Sequence, residues 1–264
     1  MQDFLPINKK DMKKRGWDCV DFVYVTGDAY IDHPSFGSAI ISRLLESRGY
    51  RVGIIAQPDW RKKESIQVFG EPRLGFLVTA GNMDSMVNHY TVSRKHRQKD
   101  AYSPGGQMGL RPDMPTVVYS NLIRQTYKHT PIILGGIEAS LRRLAHYDYW
   151  SNRVRRSVLM DSGADLISYG MGEHSIIQIP KLFRAEFRSR KLPIFRGPSS
   201  KAKNFPVLMM RLYFRLLKPS QQTKKHMPKV SIYSIAIQIR LLHIHLQKIT
   251  ATEDMSYRIR RRFL

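Results

Sequence analysis

The chain has 264 residues, with 44 Lys and Arg against 21 Asp and Glu, and a single cysteine. One thiol excludes an internal disulfide framework and any iron–sulfur cluster held by three or four cysteines of this chain, and it points to a reducing, cytoplasmic setting. The opening stretch MQDFLPINKKDMKKRGW has no apolar signal-peptide core, and no apolar run approaches the ~20 residues that span a bilayer, so neither export nor a membrane is expected.

The formal net charge of +23 is unevenly placed. Residues 1–180 hold 24 cations and 18 acids, a net of +6, whereas residues 181–264 hold 20 and 3, a net of +17. Sixteen of the 17 glycines precede the break. Turn punctuation therefore ends where the positive charge begins. This predicts an α/β domain over 1–180 and a basic, poorly ordered tail over 181–264.

Within the domain, DFVYVT (21–26) is a short β-rich run stopped by Gly27-Asp28. A polar loop, AYIDHPSFG, leads to Ala39, Ile40, Ile41, Leu44 and Leu45 at helical spacing, with Gly49 placed to end that helix. RVGIIA (51–56) is the next strand, which completes a β–loop–α–β unit. LGFLVT (74–79) is a third strand, followed by a helix beginning in 84–90. Residues 91–115 are polar, glycine-rich and aperiodic, and predict a long loop. Thr116 to Tyr127 predicts a helix, although its start, TVVYS, has strand character. Pro131 to Leu134 is a strand running into Gly135-Gly136, and Ile137 to Leu144 a helix. Asp165 to Ser168 is a last strand, ending in YGMGE, with a helix starting near Glu173. Strands alternating with helices predict a doubly wound, mostly parallel, Rossmann- or flavodoxin-like sheet.

Right-handed crossovers bring all the strand ends of such a sheet to one edge, where ligands bind. Polar and glycine residues collect at these ends: Asp28, Asp32 and His33; Asn82, Asp84 and Ser85; Gly135, Gly136 and Glu138; Gly172 and Glu173. The glycines and aspartates among them are also simply turn residues. As a set they predict a site for a nucleotide-like or anionic ligand held by free helix-start amides.

Other motifs are weaker. There is no Walker A sequence, no GxGxxG and no GxSxG. GDAYIDHPSFG departs from the DxHxxG signature of cobalamin-binding domains, since Asp32 and His33 are adjacent and Gly37 lies four residues beyond. No histidine pair has the spacing of a zinc helix. The loop SRKHRQKDAYSPGGQMGLRP reads as a solvated basic face or a contact to RNA or phosphate. YDYWSNRVRRS reads as a stacking platform or as a buried aromatic cluster beside a helix with an exposed arginine face.

The segments RGWDCVDFVYVTGDAYIDHPSFGSAIISRLLESRGYRVGIIAQPDW, TAGNMDSMVNHYT, SPGG and GGIEASLRRLAHYDYWSNRVRRSVLMDSGADLISYGMGE resemble the N-terminal region of YgiQ-type radical SAM proteins over residues 4–179. The resemblance implies a flavodoxin-like domain. In intact members it also implies a radical SAM barrel, whose CxxxCxxC motif holds a [4Fe–4S] cluster that binds S-adenosylmethionine. This chain has no CxxxCxxC. It is therefore expected to carry neither cofactor and to lack radical chemistry alone. The alternatives are a nucleotide- or anion-binding module, or a basic nucleic-acid-binding protein acting through its tail.

The tail itself has three readings. A nucleic-acid arm explains the charge, but apolar runs such as LMMRLYFRLL sit among the cations. An amphipathic surface helix over 208–217 is a second. The third is a slipped coding frame near residue 180. Read one base earlier with permitted codons, 206–212, 229–239 and 252–264 each yield sequence like that which the family carries before its cluster motif. On this reading the tail is out of frame and its basicity, with any nucleic-acid binding, is not physiological.

Overall fold

The computed structural model describes residues 4–188. Residues 189–264, nearly all of the predicted basic tail, lie outside the described residues. In chain order the elements are α1 (Lys9–Lys14), β1 (Phe22–Thr26), α2 (Gly37–Glu46), β2 (Val52–Ala56), β3 (Gly75–Thr79), α3 (Ser85–His89), α4 (Pro115–Thr126), β4 (Ile132–Leu134), α5 (Gly136–Leu141), β5 (His146–Asp148), β6 (Arg153–Arg155), α6 (Val158–Ser162), β7 (Leu166–Ile167) and α7 (Glu173–Arg188). The boundary at residue 180 falls inside α7.

Five parallel strands run in the order β2-β1-β3-β4-β7. This is the flavodoxin-type order, in which the chain leaves β1 for one edge and returns to its other side as β3. Alternation along the strands builds two cores. Val23, Val25, Phe76, Val78, Ile132 and Leu134 face α4 and α5, packing on Tyr119, Ile123 and Ala139. Phe22, Tyr24, Ile54, Leu77 and Ile133 face α2 and α7, packing on Leu45, Ile176 and Ile179. The strands are apolar on both faces because both are covered.

Local signals set the helix ends. Gly49, with φ +80°, lets the Tyr50 amide donate back to the Leu45 carbonyl at 3.1 Å and closes α2. Pro115 starts α4, where its missing N–H costs nothing. Ser157 caps α6, which ends at Gly163 in the left-handed region.

Two readings change. Residues 137–144 contribute only the short α5. The YDYWSNRVRRS stretch is an antiparallel hairpin, β5–β6, with Tyr147, Tyr149 and Trp150 exposed, so the buried-cluster-beside-a-helix reading does not hold. Residues 91–114 form the expected long loop, tied by a bridge between Tyr90 and His96 and a 3₁₀ turn at Pro104–Gly106.

Candidate functional site

β1 and β3 lie side by side while their connections depart to opposite edges, so a crevice opens beyond their carboxyl ends. A cavity of ≈ 190 Å³ occupies it. Its floor is Tyr24, Thr26, Leu77, Thr79 and Ile133 from the strand ends. Its walls are the start of α2 from Gly37, the Gly81-Asn82 turn, Gly135-Gly136, Ser168, and Gly170 through Glu173 at the start of α7.

Six of the eleven predicted residues meet there: Asp28, Asn82, Gly135, Gly136, Gly172 and Glu173. Asp28 Oδ2 accepts the Asn82 amide at 2.7 Å, Asn82 Oδ1 accepts the Gly37 amide at 3.3 Å, and Asn82 Nδ2 donates to the Ser35 carbonyl at 3.1 Å. The β1, β3 and α2 sides of the crevice are thereby stitched together. Gly136 has φ +78°, and a Cβ there would collide with Thr79 Oγ1, so this turn needs glycine for both conformation and space. Gly172 is different. Its backbone is ordinary, and a Cβ would sit 3.6 Å from Ile41 Cδ1 and from Ser168 Oγ.

The other five lie off the cavity. Asp32 is held by Arg43 Nε at 3.1 Å, and exposed His33 accepts the Ser35 amide on Nδ1 at 3.1 Å. Asp84 caps α3 by accepting the Met86 and Val87 amides at 3.0 and 3.3 Å, and it pairs with Arg142. Ser85 is buried beside it. Glu138 is buried behind the α5 turn, where its Oε1 accepts the Thr116 amide at 3.2 Å and the Thr116 hydroxyl. Its Oε2 has no hydrogen-bond partner among the described residues. Burial pushes this carboxyl up to about 7, against the opposing pull of Thr116 and Arg142. For Asp84 and Ser85 the turn-and-cap reading describes the geometry.

A second feature has no sequence signal. Arg111, from the long loop, is fully buried under the crevice. Its Nε and Nη2 grip the two Asp100 oxygens at 3.0 and 2.9 Å, and its Nη1 donates to Asp28 Oδ1 at 2.7 Å and the Ala80 carbonyl at 3.0 Å. Burial raises the Asp28 carboxyl above its usual range, although the Asn82 amide and Arg111 oppose this. Burial acts upward on Asp100 too, but there the Tyr102 amide and Arg111 outweigh it and hold the group low. One guanidinium serves two carboxylates, and the carboxyl facing the cavity is the easier to protonate. The isolated Arg111 and Asp100 lie in a glycine-rich loop, and nothing local in the sequence marks them as buried. Ser38 and Ser168 also line the cavity unpredicted.

The crevice can hold a small ligand through backbone amides, hydroxyls and an apolar floor. Among the described residues, its charged lining groups are the carboxylates of Asp28 and Glu173. It does not fit a [4Fe–4S] cluster, which needs three thiolates, since the chain's one thiol, Cys19, precedes β1. Among the described residues no group of three His, Cys, Asp or Glu side chains could hold a metal ion, and no helix is long and apolar enough to cross a membrane.

The family model for the radical SAM N-terminal region matches residues 4–261, running past residue 179, where the resemblance read from the sequence stopped. A UPF0313 protein of Clostridium botulinum (strain 657 / Type Ba4) is 59% identical over 195 residues, which are 74% of this chain and 30% of that protein. A UPF0313 protein of Clostridium perfringens (strain 13 / Type A) is 62% identical over 184 residues, 70% of this chain and 28% of its own. The chain thus spans about 30% of the length of the curated relatives it matches. No solved structure matches it. With more than half its length under the family model, and with the flavodoxin-type sheet the resemblance implied, the chain belongs to the radical SAM N-terminal family and is of the YgiQ type.

Proposed function

We propose that this domain is a ligand-binding module of a cytoplasmic radical SAM protein. On this reading the [4Fe–4S] cluster and S-adenosylmethionine of intact members belong to sequence other than this chain, which is inactive in radical chemistry alone. One observation carries the module reading: the cavity sits at the topological switch point between β1 and β3, walled by glycine turns and the starts of two longer helices. Among the described residues no cationic side chain lines it and two carboxylates do. A neutral, hydroxyl-bearing, nucleoside-like ligand therefore suits it better than a polyphosphate. The out-of-frame reading of the tail rests on the shared one-base offset, and sequencing the gene with its downstream region tests it.

Ligand-observed NMR of the full chain against nucleosides, nucleotides and dinucleotide cofactors tests the module reading. Gly172→Val fills the cavity without backbone strain and should abolish binding while the fold is retained. Arg48→Ala, on the opposite connector, should leave binding intact. Binding untouched by both Gly172→Val and Glu173→Ala would move the site elsewhere.

A further inference from the structure

Away from the crevice, the long loop and the β5–β6 hairpin build an exposed aromatic and cationic face that the module reading leaves unused. Tyr90 lies 4.2 Å from the Trp150 ring and 4.3 Å from the His96 ring, centre to centre. The Arg94 guanidinium sits 4.9 Å over Tyr149 and 5.8 Å over Trp150. The rings are fixed in place: Tyr90 donates to Asp113 at 2.8 Å, Tyr149 donates to the Val92 carbonyl at 3.0 Å, and Arg94 donates to the Tyr149 carbonyl at 2.9 Å. Arg94 holds φ +60°, a conformation a non-glycine residue keeps only where its surroundings impose it. Yet the platform is not a core, for Tyr147, Tyr149 and Trp150 remain 60%, 55% and 37% exposed.

Charge selects the partner. Residues 90–99 hold Arg94, Lys95, Arg97 and Lys99 with no acid, and residues 146–156 hold Arg153, Arg155 and Arg156 against Asp148. These two segments carry a net of +6, equal to that of all residues 1–180, so the rest of the domain is neutral. Lys95, Arg97, Lys99 and Arg153 make no ion pair among the described residues. Lysine is depleted at protein–protein contacts, and a second copy would set like charges against each other. Ordered aromatic rings beside unpaired cations match the alternating bases and phosphates of an unpaired strand. We propose that this face binds a single-stranded polynucleotide, with bases stacking at Tyr149 and Trp150 and phosphates on Lys95, Arg97 and Arg153. This is independent of the crevice and of the basic tail.

The test uses the full chain with fluorescein-labelled U12 and dT12 at low salt, and heparin as a polyanion without bases. The tail adds a salt-dependent background, so ring removal is the discriminating change. Tyr149→Ala with Trp150→Ala should weaken both oligonucleotides at least about tenfold and leave heparin unchanged. Trp150→Phe should retain binding but lose the tryptophan quenching that U12 produces. Lys95→Glu with Arg97→Glu should weaken all three polyanions, which keeps the proposal exposed if the ring variant misfolds. Oligonucleotide binding equal to wild type in the folded ring variant, no binding at all, or quenching that persists without Trp150 overturns the proposal. So does a homodimer that dissociates in the ring variant without any oligonucleotide binding.

Discussion

Replacing Arg111 by alanine removes the cation that, among the described residues, bridges two buried carboxylates. The lost contacts are a two-pronged grip on Asp100 at 2.9–3.0 Å and a 2.7 Å bond to Asp28, all with side chains essentially without solvent. Breaking a buried pair by deleting one partner costs roughly 3–5 kcal/mol, because the remaining charge is left uncompensated. Against a typical total of about 5–15 kcal/mol this is a large fraction. At a slope of about 2 kcal/mol per molar urea the midpoint falls by roughly 1.5–2.5 M. The deficit depends on pH. A carboxyl whose folded-state pKa lies above its unfolded value binds protons more readily when folded, so stability returns as pH drops from the raised value towards about 4. Asp28 is already raised with Arg111 present and rises further without it. Urea unfolding of the full chain, followed by fluorescence at pH 7.5 and 5, should therefore show a smaller deficit at pH 5. Adding Asp28→Asn and Asp100→Asn should restore more than half of the loss. A deficit under about 1 kcal/mol, or one equal at both pH values, refutes the assignment of Arg111 as the counter-charge.

Glu138, raised to about 7 by burial, is protonated in the fold and ionised in the unfolded chain between about 4.5 and 7. Wild-type stability should fall across that window as pH rises, by on the order of 3 kcal/mol at most; Glu138→Gln should flatten this contribution, as urea titrations at pH 5 and 7.5 will read. Gly136→Ala, forced to carry a Cβ at φ +78° against Thr79, should lose roughly 1–3 kcal/mol, whereas Gly172→Ala should stay within about 0.5 kcal/mol; equal effects would contradict the turn geometry. Anaerobic reconstitution of the chain with iron and sulfide should give no stoichiometric [4Fe–4S] absorbance, and Cys19→Ser should not alter the spectrum, because a cluster needs three thiolates. A cluster lost on Cys19→Ser would reverse that expectation.

The sheet was legible because each central strand is a short apolar run ending in Gly or Asp, and both faces are buried. The Thr116 segment, ambiguous by its β-branched start, is a helix because Thr116, Tyr119, Ser120 and Ile123 fall on one buried stripe. The hairpin was not legible. Tyr147 and Val154 both face water, so no alternation of apolar and polar residues marks its strands. At the site, glycines and acids at strand ends marked the right edge, but not which acids face inward. Asp84 is consumed by its own helix start and by Arg142, and Asp32 by Arg43; the two arginine pairings are set by where α5 and α2 lie. Arg111 meets Asp28 across 83 positions, a separation that no local pattern encodes.

That separation also gives the crevice a place in time. Arg111 bonds to the end of β1 through Asp28 and to the end of β3 through the Ala80 carbonyl. Those two acceptors sit at the ends of two strands that pair with each other. We predict that the guanidinium closes on an already formed sheet, carrying the long loop with it, and takes no part in a folding nucleus built of strands and their covering helices. Its removal should leave the refolding rate nearly unchanged and appear as faster unfolding, making Arg111 a determinant of how long the folded domain persists.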